Sequence, residues 1–176
     1  RESRDFTERT LTEALREIVA CFPVYRTYVG DDGQAAGAPD CRHVEEAVAT
    51  ARRRSPTASP SVFEFIEDLL CRTGELDFVR RFQQLTGPAA AKGIEDTAFY
   101  RYTRLLSLNE VGGAPDRFGT SDEEFHQLNA ERLARWPYAL SATSTHDTKR
   151  SEDVRARINV LSELPHEWRT RVRAWH

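Results

Sequence analysis

The chain has 176 residues, enough for one compact unit or for a piece of something larger, and 39% hydrophobic and 30% charged residues with a mean hydropathy of -0.61 exclude a wholly disordered tail. No apolar run approaches the roughly 18 residues of a membrane span, so no membrane partner is expected. The 25 basic and 28 acidic side chains leave a net charge of -3, which gives no overall pull toward nucleic acid, and the basic residues other than Lys92 and Lys149 are all arginine, a bias read as that of a GC-rich genome.

Cys21, Cys41 and Cys71 are odd in number and form no Cys-x-x-Cys pair, which points to a reducing cytoplasm. The charged first residues, the lack of methionine and the Ala174-Trp175-His176 end read as a chain cut from a longer one, with no signal peptide.

In chain order, Thr10-Leu11-Thr12-Glu13 has the capping-box spacing, and Leu11, Ala14, Leu15, Ile18 and Val19 predict a helix to about Cys21. Pro23 to Val29 alternates and reads as a short strand or extended segment, and Gly30 to Pro39 as a surface loop. Asp40 is the expected cap of a helix ending in Arg52-Arg53-Arg54, where positive charge suits a helix C-terminus. Ser59-Pro60 opens a helix that Gly74 stops, and Leu76 to Leu85 forms another. Thr86-Gly87-Pro88 is expected to break the pattern, with Ala89 to Ile94 packing backbone closely and a further helix from Asp96 to Leu106. After a glycine-rich loop, Ser121-Asp122-Glu123-Glu124 caps a helix with Phe125, Leu128 and Leu133 inward, ended by Trp136-Pro137. Tyr138 to Thr145 reads as one buried strand, Ser151-Glu152-Asp153 as a helix start, and Pro165 as the start of a last helix with Trp168 and Val172. The result is a mainly α chain with one strand, which makes sense as part of an α/β fold with helices inserted ahead of that strand.

The densest chemistry lies in Ser144-Thr145-His146-Asp147-Thr148-Lys149-Arg150, between the predicted strand and the capped helix. In parallel α/β barrels such loops converge on one mouth and carry the reacting groups. A turn organised by Asp147 or Thr148, with Lys149 and Arg150 solvated, gives the same pattern, and a His-Asp dipeptide alone does not distinguish the two. Cys41-Arg42-His43 lacks a second pair at zinc spacing and reads as a helix start. Glu95-Asp96 reads first as a cap, and Tyr100, Tyr102, Trp136 and Tyr138 as core aromatics with sugar stacking as the alternative. There is no P-loop, dinucleotide fingerprint or Gly-x-Ser-x-Gly elbow.

Several longer blocks go further. They are Phe22-Pro23-Val24-Tyr25-Arg26-Thr27-Tyr28, Phe82-Gln83-Gln84-Leu85-Thr86-Gly87-Pro88, Lys92-Gly93-Ile94-Glu95-Asp96-Thr97-Ala98-Phe99-Tyr100-Arg101-Tyr102, Ser107-Leu108-Asn109-Glu110-Val111-Gly112-Gly113, and the run from Thr143 through His146-Asp147 to Arg157. In this order they closely resemble the maltooligosyl trehalose synthases, and the resemblance covers nearly the whole chain, as a segment from the second half of a much longer catalytic region. It implies an α-amylase-type (β/α)8 barrel, with residues 1–137 as a helical subdomain inserted in it and 138–176 as barrel strand, catalytic loop and following helices.

The resemblance also implies a function for the parent protein: isomerising the terminal α-1,4 link of a maltooligosaccharide to an α,α-1,1 link, with no cofactor or metal. By that match Asp147 is the transition-state-stabilising aspartate after the seventh barrel strand and His146 its sugar-binding neighbour. Lys149 and Arg150 are expected at the leaving glucose or the enclosing loop, with Glu95, Tyr100 and Arg101 as further substrate-binding candidates. The nucleophile and acid/base segments have no counterpart here, so this piece alone is expected to be inert and to need the remainder of the barrel. The competing reading is a helical interaction module that binds an acidic partner or nucleic acid through its arginines; near-neutral charge and scattered arginines weigh against it.

Overall fold

The computed structural model describes residues 5–29, 37–71 and 75–176; most of the expected loop from Gly30 and the helix stop at Gly74 lie outside them. The chain forms two compact units, Arg1–Ile94 and Glu95–His176.

The first unit is built from four helices, α1 (Glu8–Ala20), α2 (Ala38–Arg54), α3 (Pro60–Cys71) and α4 (Leu76–Ala90). Each carries apolar residues at three- and four-residue spacing, and the faces so formed close on one another: Ala14 and Ile18 of α1, Val44, Ala47, Val48 and Ala51 of α2, Val62, Phe63, Ile66 and Leu70 of α3, and Val79 and Phe82 of α4 are all buried. Small alanines on α2 let the helix axes approach, and Phe63 and Phe82 fill the space between. Helix α1 begins one turn earlier than the capping-box reading: Thr7 is the cap, its Oγ1 accepting the Thr10 N–H at 3.2 Å. Thr7 and Thr10 offer the same chemistry, and capping at Thr7 adds a turn that places Glu8 where the helix dipole favours an acid. Asp40 does not cap α2. The cap is Gly37, and Asp40 lies in the first turn, where its Oδ1 accepts the Tyr28 N–H at 3.3 Å.

The segment from Pro23 to Val29 bends at Pro23 to Tyr25, forms no strand and is tied down by side chains instead. The Val29 N–H donates to Oε1 of buried Gln83 at 2.7 Å, and Phe22 meets Phe82 edge to face at 5.3 Å. Helix α4 does not break at Thr86-Gly87-Pro88 but runs through to Ala90. Pro88 cannot donate to the Gln84 carbonyl, and helix-interior proline costs about 3 kcal/mol, a cost that the burial of Val79, Phe82, Gln83 and Thr86 along the same helix offsets. Nor is Gly93 pressed against backbone, since a Cβ there would meet nothing within 4 Å. Ala89, Ala90 and Gly93 line an apolar groove of about 840 Å³ together with Leu15, Val19, Phe22, Phe78 and Phe82.

Ala91–Ala98 is wound as a π-helix, and the helix expected from Asp96 to Leu106 is reduced to the single turn α5 (Phe99–Arg101), followed by a 3-10 turn at Leu106–Leu108. The second unit then continues with α6 (Asp122–Arg135), α7 (Glu152–Val160) and α8 (Pro165–Trp175). Their starts follow the expected chemistry: Ser121 Oγ accepts the Glu124 N–H at 3.1 Å, Ser151 precedes α7, and Pro165 opens α8. Their burial does not. Phe125, Leu128 and Leu133, expected inward, are exposed.

The strand expected over Tyr138 to Thr145 is not formed. These residues run without a ladder, with Tyr138 at 95% and Leu140 at 100% exposure, because a strand is completed only by a neighbour that takes its N–H and C=O groups, and the described residues supply none. What holds the end of this segment is side-chain chemistry at the start of α7. Thr143 Oγ1 donates to Glu152 Oε2 at 2.8 Å, the Glu152 N–H donates to Ser144 Oγ at 3.2 Å, and Arg155 donates to the Thr143 carbonyl. No helix among the described residues is long and apolar enough to cross a membrane.

Candidate functional site

Three of the sequence blocks that stand far apart in the chain meet in the second unit: the π-helical turn with Glu95 and Asp96, the loop Asn109 to Gly113, and the loop Thr145 to Arg150. A π-helical turn winds five residues between bonded groups, a rare geometry that recurs at functional sites. Here it carries the two acids that reach the other loops.

The Asn109 to Gly113 loop forms from the backbone outward. Buried Asn109 donates its Nδ2 to the Phe99 carbonyl at 2.7 Å and to that of Tyr102, two groups that the end of α5 would otherwise leave without donors. Gly112 has a φ of +70°, a left-handed conformation that a side chain resists, and its N–H donates to Glu95 Oε1 at 3.1 Å. At Gly113 an added Cβ would lie 2.6 Å from the Leu108 carbonyl oxygen and 2.8 Å from that of Glu110. Both glycines are therefore required for the turn that presents Glu110, and the Gly113 N–H closes it on the Glu110 carbonyl at 2.7 Å.

Glu110 faces the third loop. Oε1 accepts the N–H of Val111 at 2.9 Å and of Lys149 at 2.8 Å, and Oε2 accepts the N–H of Arg150 at 3.4 Å. Burial pushes this carboxyl up, but the three backbone donors and the charge of Arg155 outweigh it and leave Glu110 below the ordinary glutamate range. The Lys149 side chain, 13% exposed, puts Nζ 2.6 Å from Asp96 Oδ1. That hydrogen bond, opposed by burial and aided by the charges of Asp96, Tyr100 and Glu95, raises the ammonium above the ordinary lysine value.

The loop closes on itself ahead of those anchors. Thr148 Oγ1 donates to the Thr145 carbonyl at 2.7 Å and accepts the Thr145 N–H at 3.3 Å, and the Asp147 N–H donates to Thr145 Oγ1 at 3.3 Å. His146 and Asp147 project from the tip, their side chains 90% and 68% exposed, with His146 Nε2 3.1 Å from Asp147 Oδ2. An exposed carboxylate and imidazole on a braced turn can hydrogen-bond a hydroxyl-rich ligand, and the carboxylate can stabilise positive charge developing on it.

Of the residues singled out from sequence, the structure brings Glu95, Lys149 and the Arg150 backbone into this assembly. It leaves His146 and Asp147 at its exposed edge, and Tyr100 and Arg101 are exposed on the α5 turn. Lys149 does not float in solvent: it is paired with Asp96. Sequence reasoning missed Asp96 as its partner, Asn109 as the buried anchor and Glu110 as the acceptor. The available signal was a polar pair, Asn109-Glu110, one residue ahead of Gly112-Gly113, a combination that suits a tight, side-chain-braced turn. Among the described residues no group of three or more His, Cys, Asp or Glu side chains could hold a metal ion. Cys41 Sγ instead lies 3.9 Å from the Cys71 carbonyl, and burial, with Cys41 beside it, pushes the Cys71 thiol well up.

No family model matches the chain. Over 136 residues, 77% of its length, it is 48% identical to a Mycobacterium tuberculosis protein that carries the name maltooligosyl trehalose synthase, and it spans 17% of that relative. Its fold superposes on a structure of maltooligosyltrehalose synthase from Arthrobacter ramosus with a TM-score of 0.78 at 42% identity, covering 91% of this chain and 20% of that one. A Sulfolobus tokodaii protein described as a hypothetical maltooligosyl trehalose synthase gives a TM-score of 0.67 at 33% identity, with 96% and 22% covered. In sequence and in fold the chain thus corresponds to one segment of much longer proteins, spanning 17% and 20% of their length.

Proposed function

We propose, from its correspondence to one segment of maltooligosyl trehalose synthases, that this chain belongs to an enzyme that converts the reducing-end α-1,4 link of a maltooligosaccharide to an α,α-1,1 link. The observation that carries the proposal is that the matching blocks are also the blocks that assemble here: Glu95 and Asp96, Asn109 to Gly113, and His146 to Arg150 meet through hydrogen bonds of 2.6 to 3.4 Å.

In that enzyme residues 138–144 complete a strand of an α-amylase-type (β/α)8 barrel whose other strands lie outside this segment, and residues 1–137 are a helical subdomain ahead of it. The full exposure of Leu140 supports this, since a Tyr-Ala-Leu-Ser-Ala run has the composition of a strand buried on both faces. Asp147 holds the reacting glucose and His146 a neighbouring hydroxyl. The carboxylate gains strength as the oxocarbenium-like state develops positive charge, which lowers the barrier rather than only tightening binding. The nucleophile and the acid/base come from barrel segments outside this chain, so the segment alone is inactive. The glucose released in the first displacement turns within the site and attacks through its anomeric hydroxyl, and water must be excluded for transfer to win over hydrolysis. Lys149, Arg150, Glu95, Tyr100 and Arg101 form the wall against which it turns. No step needs a cofactor or a metal.

The test is Asp147→Asn in the full-length protein. It should lower turnover on maltopentaose by about 10³-fold or more while leaving thermal unfolding unchanged, because the side chain is exposed and its volume is kept. Near-wild-type turnover overturns the assignment. For the wall, Lys149→Ala and Arg150→Ala should lower the ratio of trehalose-ended product to free glucose, and wild-type ratios in both would leave them as scaffold.

A further inference from the structure

We infer that Glu110 is a positioning residue, whose carboxylate fixes the loop bearing His146 and Asp147 by accepting the backbone N–H groups of Lys149 and Arg150. The inference deepens the assignment of that loop to the reacting sugar and rests on it.

The loop has two kinds of hydrogen bond. Those of Thr145, Asp147 and Thr148 stay within it and set its shape but not its place. Among the described residues, what ties it to the preceding blocks is the Glu110 carboxylate at 2.8 and 3.4 Å and the Lys149 to Asp96 pair at 2.6 Å. These two anchors differ in what they can fix. Lys149 reaches Asp96 through a four-carbon stem with free rotations, so its head group can stay bound while the backbone shifts. Glu110 grips the backbone itself, two residues after Asp147, and two residues of chain span at most about 7 Å, so an error at the grip passes to the Asp147 carboxylate nearly undiminished.

The support behind Glu110 has the form a positioning group needs. Its backbone is set by a glycine pair that admits no side chain at Gly113 and by buried Asn109, so the carboxylate is aimed before the loop arrives. An ionised acceptor makes shorter and stronger bonds to N–H groups than a neutral one. The three donors keep Glu110 in that ionised form, and without it the half-buried N–H groups of Lys149 and Arg150 would lose their acceptor.

The experiment compares wild type, Glu110→Ala and Glu110→Gln in the full-length protein, reading kcat and KM on maltopentaose beside amide hydrogen exchange of the Lys149 and Arg150 backbone. Glu110→Ala should speed exchange at those two amides about tenfold or more while leaving α1 to α4 protected, and should lower kcat about thirtyfold or more with little change in KM. Glu110→Gln keeps one carbonyl acceptor for the 2.8 Å bond and should restore kcat to within about threefold of wild type. Unchanged exchange in Glu110→Ala overturns the inference, as does faster exchange with wild-type kcat. If Glu110→Ala fails to fold, Glu110→Gln and Glu110→Asp carry the test: slower exchange in Glu110→Gln than in Glu110→Asp, whose carboxylate is withdrawn by one methylene, is expected, and equal exchange overturns the inference. A wild-type protein that makes no trehalose-ended product would defeat the functional assignment instead, and the exchange measurement would still read whether Glu110 holds the loop.

Discussion

The two units of this chain are folded by different means. Arg1–Ile94 closes four helix faces on one another, and its buried apolar residues form one cluster, with Thr27, Gln83 and Thr86 buried beside them. In Glu95–His176 the buried residues among those described are Glu95, Phe99 and Asn109, two of them polar, while Phe118, Trp136, Tyr138, Leu140 and Trp175 stand in solvent. The first unit is held by what its side chains remove from water, the second by what they give to its backbone. A unit of the second kind presents more large apolar surface than an isolated domain needs, in keeping with a chain that spans 17% and 20% of the length of the proteins it resembles.

The sharpest way to break the comparison is to open the core of the first unit. Phe63 is fully buried and touches no solvent that could refill its place, so Phe63→Ala should cost about 3 to 5 kcal/mol in urea unfolding of helicity. All three tryptophans, Trp136, Trp168 and Trp175, belong to the second unit, so the fluorescence transition reports that unit alone. It should stay where it is; a fluorescence midpoint that moves with the helicity would show that the two units unfold as one.

Next in size is the exposed apolar run of the second unit. Leu140→Ser should leave unfolding of this segment unchanged, since the side chain is already in water. In the full-length protein it should cost about 1.5 to 3 kcal/mol, the worth of burying a leucine, if the run is there a barrel strand. Equal stability of the full-length variant and its parent would remove the strand assignment.

How much of this was legible in sequence follows the same division. All four helices of the first unit are legible, because a helix that packs on a neighbour must repeat its apolar residues every three or four positions, although α4 runs past the expected end at Leu85 to Ala90. Errors there were local, such as Thr7 rather than Thr10 as cap, where two identical side chains one turn apart compete for the same role. In the second unit periodicity identified α6, α7 and α8, yet it predicted burial of Phe125, Leu128 and Leu133 that this segment does not provide. The passage through Pro88 into π-helical winding escaped because local rules treat proline as a stop. The candidate site was half visible: His146, Asp147 and Lys149 crowd one short run, but Glu110 and Asp96 act on residues 39 and 53 positions away. Spacing within a motif carries no information about such partners.

A smaller effect should follow from the glycine pair. Gly113→Ala forces a Cβ within 2.6 Å of a backbone oxygen that no rotamer change can move, and relieving it should cost about 1 to 3 kcal/mol, confined to the second unit. Amide exchange should quicken at Lys149 and Arg150, because the displaced turn carries Glu110 with it, and remain unchanged in α1 to α4. Quickening throughout the chain would contradict the separation of the units.

The smallest expected effect is on acid stability. Glu110 and Glu152, both in the second unit, are held below the ordinary glutamate value of 4.5, the first by backbone donors and Arg155 against burial, the second by the hydroxyls of Thr143 and Ser144. A carboxyl that binds its proton less readily when folded contributes its full stability above the unfolded value, and loses it as pH falls from there through the folded value. Tryptophan fluorescence should therefore show the second unit weakening progressively as pH drops below about 4.5, with no gain or loss from these two groups between neutral pH and that point. Glu110→Gln has no such proton to take up, so its fluorescence midpoint should fall less steeply over the same interval even though it starts lower. An equally steep fall in the variant would mean that Glu152 or another acid, rather than the carboxylate that grips the loop, sets the acid limit of this unit.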